Sequence, residues 1–119
     1  MDGRQLRPWG ELKEKSRSDT VYVDVDKKTS PTLRELWRVL RFIGLRVQWI
    51  RIDRTVRGWH VVCRFREKLA PAESVALQFL LGSDREREVF NLARVIRSRL
   101  DGRRLGDRWN ILYKRKVKK

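Results

Sequence analysis

Thr20-Val21-Tyr22-Val23-Asp24-Val25-Asp26 is the stretch on which the fold turns. Valines alternate there with a tyrosine and two aspartates, the two-residue period of a strand with one buried face. Val21, Val23 and Val25 are therefore expected inside, with Tyr22, Asp24 and Asp26 together on the opposite face. Downstream, Ser30-Pro31 has the form of a helix start, with Ser30 as N-cap and Pro31 at the first helical position. Leu33, Leu36, Trp37, Leu40 and Ile43 keep the helical period, Arg34, Arg38 and Arg41 lie off that stripe, and Gly44 ends it. Leu45 to Asp53 and Gly58 to Phe65 are two strand-like runs separated by a turn around Arg54 to Arg57, which predicts a hairpin.

Pro71 opens a further helix carrying Val75, Ala76, Phe79 and Leu80, closed by Gly82. Ser83-Asp84-Arg85-Glu86 has capping-box spacing, with Ser83 as the cap of a new helix. Its apolar stripe is Val89, Leu92, Ala93, Ile96 and Leu100, and Gly102 stops it. Trp109, Ile111 and Tyr113 then alternate along an expected last strand. The order strand, helix, strand, strand, helix or helix pair, strand predicts an α+β, ferredoxin-like and RRM-like split βαβ domain. Such a domain has a four-stranded antiparallel sheet, helices on one face and an open second face. It is expected over 20–113, between a basic, partly flexible arm (1–19) and a basic tail (114–119) with five Lys or Arg in six residues.

Thirty Lys and Arg stand against fifteen Asp and Glu in 119 residues, a formal charge of +15. A charge this large repels itself without a polyanion nearby, and nucleic acid is the expected partner. A membrane is not expected, because no run approaches the length of an apolar span and neither end carries a lipidation signal. Cys63 and His60 are the only residues of their kinds, so one chain cannot assemble a disulfide or a Cys/His zinc site. The polar amino terminus lacks a secretory core, which predicts an intracellular protein, cytoplasmic or nucleoid-associated.

Alternation along the third strand places His60 and Arg64 on the face of Tyr22, Asp24 and Asp26, where Tyr22 would stack an unpaired base. Arg54, Arg57, Arg64, Arg103, Arg104, Arg108, Lys114 and Arg115 are the candidate phosphate contacts. Trp59 joins the nucleic-acid-binding set from its place beside the turn. Trp37, Trp49 and Trp109 are assigned to the core as large apolar fillers, and Cys63 as a small one.

The succession of Tyr22-Val23-Asp24-Val25-Asp26 and Arg57-Gly58-Trp59-His60 resembles the catalytic module of the archaeo-eukaryotic primase and primase-polymerase superfamily. There a strand carrying Asp-x-Asp precedes a strand carrying a Gly-aromatic-His segment. The resemblance runs from Thr20 to Arg64. It implies that Asp24 and Asp26 bind Mg²⁺ or Mn²⁺, that His60 contacts nucleotide, and that these three form the catalytic set of a nucleotidyl transferase. The superfamily's third carboxylate has no counterpart between Trp109 and Lys116. Binding of single-stranded DNA, in replication of a genome or mobile element, is accordingly the first expectation, with duplex DNA and RNA as other ligands. A diverged nucleotidyl transferase is the second. A structural RNA-binding or adaptor subunit, bound to a protein partner, is the third.

Overall fold

The structure is a computed structural model and describes residues 16–112. Six elements follow in order: β1 (Thr20–Val25), α1 (Leu33–Ile43), β2 (Val47–Arg54), β3 (Trp59–Phe65), α2 (Pro71–Leu80) and α3 (Arg85–Asp101). The strands form a three-stranded antiparallel sheet in the order β1-β3-β2, so β3 lies between two strands that the α1 crossover joins. The valine alternation of β1 reads as expected: Val21, Val23 and Val25 are buried with Val61, Cys63 and Phe65 of β3 and with Leu36 and Leu40 of α1. Burial of this apolar surface is the main force holding α1 on the sheet. Among the described residues, no helix is long and apolar enough to cross a membrane.

Local chemistry sets the element ends. Thr32, rather than Ser30, caps α1: its hydroxyl accepts from Glu35 N, while the Glu35 carboxylate accepts from Thr32 N, a complete capping box. Gly44 ends that helix in the left-handed region at φ 107°, as its position predicts. The hairpin closes through Thr55, whose N–H donates to the Gly58 carbonyl and whose hydroxyl accepts from Gly58 N. Gly58 is required by close approach, because a Cβ there would stand 2.0 Å from the Val25 carbonyl oxygen. The register of β2 slips between Val47 and Trp49. Beyond this bulge Ile50 and Ile52 face the core, which turns Trp49 to the other face and exposes it.

No strand follows α3 among the described residues, and 109–112 are irregular; Tyr113, the last residue of the expected strand, lies outside them. The physical reason is visible along β1, whose outer edge is already occupied. Tyr22 N donates to Gln78 Oε1, Asp24 N to Ser83 Oγ, and Asp84 N donates to the Asp24 carbonyl. Arg87 Nη1 donates to the Tyr22 carbonyl at 2.9 Å. A fourth strand would need these same backbone groups. Ser83 is thereby drawn away from capping, and Asp84 caps α3 by accepting from Arg87 N.

The helices depart further from their expected faces. In α3 the buried residues are Glu88 and Asn91, whereas Val89, Leu92, Ile96 and Leu100 are 39–69% exposed. Phe79 and Leu80 of α2, and Leu33, Trp37 and Ile43 of α1, are likewise exposed. The sheet's second face is only partly open. Tyr22 and Val62 are buried with Leu112, and His60 is also buried, so the accessible side chains of this face are chiefly Trp49, Arg51 and Asp53 of β2, with Arg64 of β3 and Asp24 of β1 partly exposed.

Candidate nucleic-acid interface

The end of the sheet where β1 and β2 finish and β3 begins gathers basic side chains from two loops. The chain leaving β1 contributes Asp26, Lys27 and Lys28, and the hairpin turn contributes Arg54, Thr55, Val56, Arg57 and Gly58. Together they line a cleft around Trp59, the first residue of β3. The indole Nε1–H donates to the Lys28 carbonyl at 3.3 Å, which fixes the ring relative to the lysine loop. The Arg54 guanidinium stands 5.4 Å from the ring centroid, a cation–π distance. The Gly58 approach to Val25 holds the turn against the end of β1, which is why these two loops converge.

A second basic groove lies along α3. Arg94, Arg97, Ser98 and Asp101 follow one helical face, and residues 103–109 turn back beside them with Arg103, Arg104, Arg108 and Trp109. The Ser98 hydroxyl donates to the Arg103 carbonyl and holds the returning loop to the helix. Five arginines thus surround one tryptophan. The groove continues past Arg94, Arg108 and Trp109 into a cleft that reaches Asp24 and Asp84. Asp24 lines this cleft and Asp26 the hairpin cleft, so the carboxyl end of β1 stands between the two basic surfaces.

A buried polar network supports that junction. Glu88, 2% exposed, accepts from Gln78 Nε2 at 2.8 Å, Ser83 Oγ at 2.6 Å and Asn91 Nδ2 at 3.1 Å, and pairs with Arg87. Arg87 also donates to Asn110 Oδ1 at 3.0 Å and to the Ile111 carbonyl at 3.1 Å. One guanidinium therefore ties β1, α3 and the segment leading to Leu112. Burial pulls the Arg87 pKa downward, and the charges of Glu88 and Asp24 oppose that pull.

The candidate residues divide on this frame. Arg54, Arg57 and Trp59 come together at the hairpin cleft; Arg103, Arg104 and Arg108 come together along α3. Arg64 lies apart, on the second sheet face, with its guanidinium 5.4 Å from the Trp49 ring and Nε–H donating to Thr20 Oγ1. Tyr22 is 4% exposed and its hydroxyl accepts from Arg17 N, so its ring offers no face for stacking. His60 is 6% exposed, with Nε2 3.6 Å from Asp24 Oδ1. Lys114 and Arg115 lie outside the described residues. Of the tryptophans assigned to the core, Trp37 and Trp49 are exposed and Trp109 is half-buried.

Asp24 and Asp26 are not presented to one cation site. β1 ends at Val25, so the strand alternation that would set the two carboxylates side by side stops before Asp26. Burial raises the Asp24 pKa, the Arg87 charge lowers it, and the charges of Asp84, Asp26 and Glu88 raise it further. Among the described residues, no group of three or more His, Cys, Asp or Glu side chains is placed to hold a metal ion. Asp24 and Asp26 line different clefts, so the pair does not form the shared site that the implied Mg²⁺ or Mn²⁺ would need. Cys63, buried in the core, has its thiol pKa pushed up to about 12 by desolvation and is no nucleophile.

Sequence reasoning missed Lys27, Lys28, Arg94, Arg97 and Trp109 as members of these surfaces. The spacing of Arg94, Arg97 and Asp101 along one helical face was the available signal for the α3 groove. Comparison with protein-family models, with curated proteins and with solved structures returns no match.

Proposed function

We propose that the protein binds single-stranded nucleic acid, with DNA preferred, through the hairpin cleft and the α3 groove. The observation that carries this reading is the convergence of Lys27, Lys28, Arg54 and Arg57 on Trp59. Cations beside an aromatic ring are what a single strand needs, because phosphates are neutralised while an unpaired base stacks. Arg94, Arg97, Arg103, Arg104 and Arg108 around Trp109 repeat the combination. The whole-chain charge of +15 supplies long-range attraction. The sheet face, with Tyr22 buried, has no part in the reading.

Fluorescence anisotropy with labelled oligothymidylate, duplex DNA and single-stranded RNA of equal length tests it. If about six phosphates are neutralised, log K falls against log salt with a slope of roughly −4 for the single strand. Arg54→Ala with Arg57→Ala lowers the slope by about 1 to 2, and Trp59→Ala weakens binding by about 1–3 kcal/mol. A flat salt response removes the proposal. Tighter binding to duplex than to single strand transfers it to duplex DNA.

A further inference from the structure

The outward face of α3 is an apolar seam. Val89, Ala93, Ile96 and Leu100 succeed one another at intervals of four, three and four residues, which keeps them in line along a helix. Leu92 lies beside the seam, and Val89, Leu92, Ile96 and Leu100 are 39–69% exposed. Together they form a contiguous apolar patch on the order of a few hundred Å², within the range of the largest patch on a typical monomer, which is often functional. The flanking positions are Arg85, Leu92 and Arg99 on one side and Phe90 and Arg97 on the other; the seam face carries three arginines against one carboxylate, Glu86, at its amino-terminal end. Arg85, Arg97 and Arg99 are exposed and make no ion pair among the described residues.

We infer that this seam docks an amphipathic helix of another protein, one whose apolar ridge is flanked by Glu or Asp. Three arguments fix the occupant. A second copy would bring Arg85, Arg97 and Arg99 against their own equivalents, in a chain already carrying +15. The patch is also smaller than the roughly 800 Å² per partner that a stable interface needs. A helix with acidic flanks meets all three arginines with opposite charge, and their alkyl stems extend the buried area beyond the seam. The Arg85 and Arg99 flank lies away from the nucleic-acid groove, whereas Phe90 and Arg97 border it, so variants of Arg85 and Arg99 are the ones that separate this inference from the proposed binding activity.

The probe is a labelled 21-residue helical peptide with Leu at the two seam positions of each heptad and Glu at the flanks, titrated with the full chain in 0.15 M salt. Two controls accompany it: the same peptide with Lys flanks, and one with Glu flanks and Ser in place of Leu. The Leu–Glu peptide is expected to bind at least tenfold tighter than either control. Ile96→Asp, or Leu100→Asp should the first variant fold poorly, removes at least tenfold of that affinity while the circular dichroism melt persists. Arg85→Glu with Arg99→Glu reverses the preference toward the Lys-flanked peptide. The inference is overturned if the Leu–Glu peptide fails to bind, if it binds no better than the Ser control, or if the seam variants leave its affinity unchanged. It is equally overturned if sedimentation shows a dimer that Ile96→Asp dissociates, or if the same variant abolishes binding to phosphatidylserine vesicles.

Discussion

Arg87→Met is the substitution that best tests how β1 is held. The guanidinium donates to the Tyr22 carbonyl, to Asn110 Oδ1 and to the Ile111 carbonyl, and it is the cation facing buried Glu88. Methionine keeps much of the stem volume and removes every donor. Glu88 would retain its bonds from Gln78, Ser83 and Asn91, all neutral, and would be left as a buried charge without a counter-ion. Removing one partner of a buried pair costs about 3–5 kcal/mol. A domain of this size is stable by only about 5–15 kcal/mol, so the variant loses a large share of the total. The midpoint of thermal unfolding should drop by on the order of 15–30 °C. Adding Glu88→Gln removes the lone charge: its Oε1 can still accept from Gln78 and Asn91, its amide nitrogen would donate to Ser83 Oγ in place of accepting from it, and the double variant should recover at least half of the loss. Urea titrations of the wild type, both single variants and the double variant, followed by circular dichroism, measure the coupling. A cost below about 1 kcal/mol for Arg87→Met, or a double variant no more stable than the single, refutes the reasoning.

Gly58→Ala places a methyl group 2.0 Å from the Val25 carbonyl oxygen, so the hairpin turn must move off the end of β1. Stability should fall by about 1–3 kcal/mol, and oligothymidylate binding should weaken with it as the two halves of the hairpin cleft separate; unchanged urea midpoints would disprove the close approach. Asp24→Asn tests the raised pKa of that carboxyl. Because burial disfavours the charged form in the folded state, the wild type carries no penalty below the unfolded pKa of about 4. The penalty develops as pH rises toward the folded value and is full above it. Thermal melts should therefore show the Asn variant gaining on the wild type between pH 3 and pH 7; a constant or narrowing difference contradicts the burial argument.

What could be read from the residues was whatever followed simple periodicity. The valines of β1 alternate because one sheet face meets α1, and Gly44 and Gly102 stop helices because both sit in the left-handed region. The inward face of α3 was illegible for a physical reason. It meets the backbone edge of β1, which needs hydrogen-bond partners, so the side chains turned inward are Glu88 and Asn91. A reading that equates the apolar stripe with the core assigns such a helix backwards. The same edge explains why no fourth strand pairs with β1 among the described residues, and Tyr22 is buried because alternation places a side chain on a face without stating what returns across it. Of the basic candidates, Arg54, Arg57, Arg103, Arg104 and Arg108 stand out in the sequence by charge and residue type alone. Their partition into two surfaces depends on how the chain folds back: the hairpin cleft joins loops distant in sequence, and the α3 groove joins that helix to the loop that follows it.

Sealing β1 with Gln78, Ser83 and Arg87 also determines how this sheet can grow. A neighbouring strand protects an edge with backbone atoms, which survive almost any substitution; here, apart from the bond from Asp84 N to the Asp24 carbonyl, the protection belongs to three side chains and is lost with them. Loss of Gln78 or Ser83 would release N–H groups at Tyr22 and Asp24, at the spacing an incoming antiparallel strand recognises. Point mutation at those sites would turn a closed border into a template for strand exchange between molecules, and polymerisation, more than simple unfolding, is the failure to which this architecture is exposed.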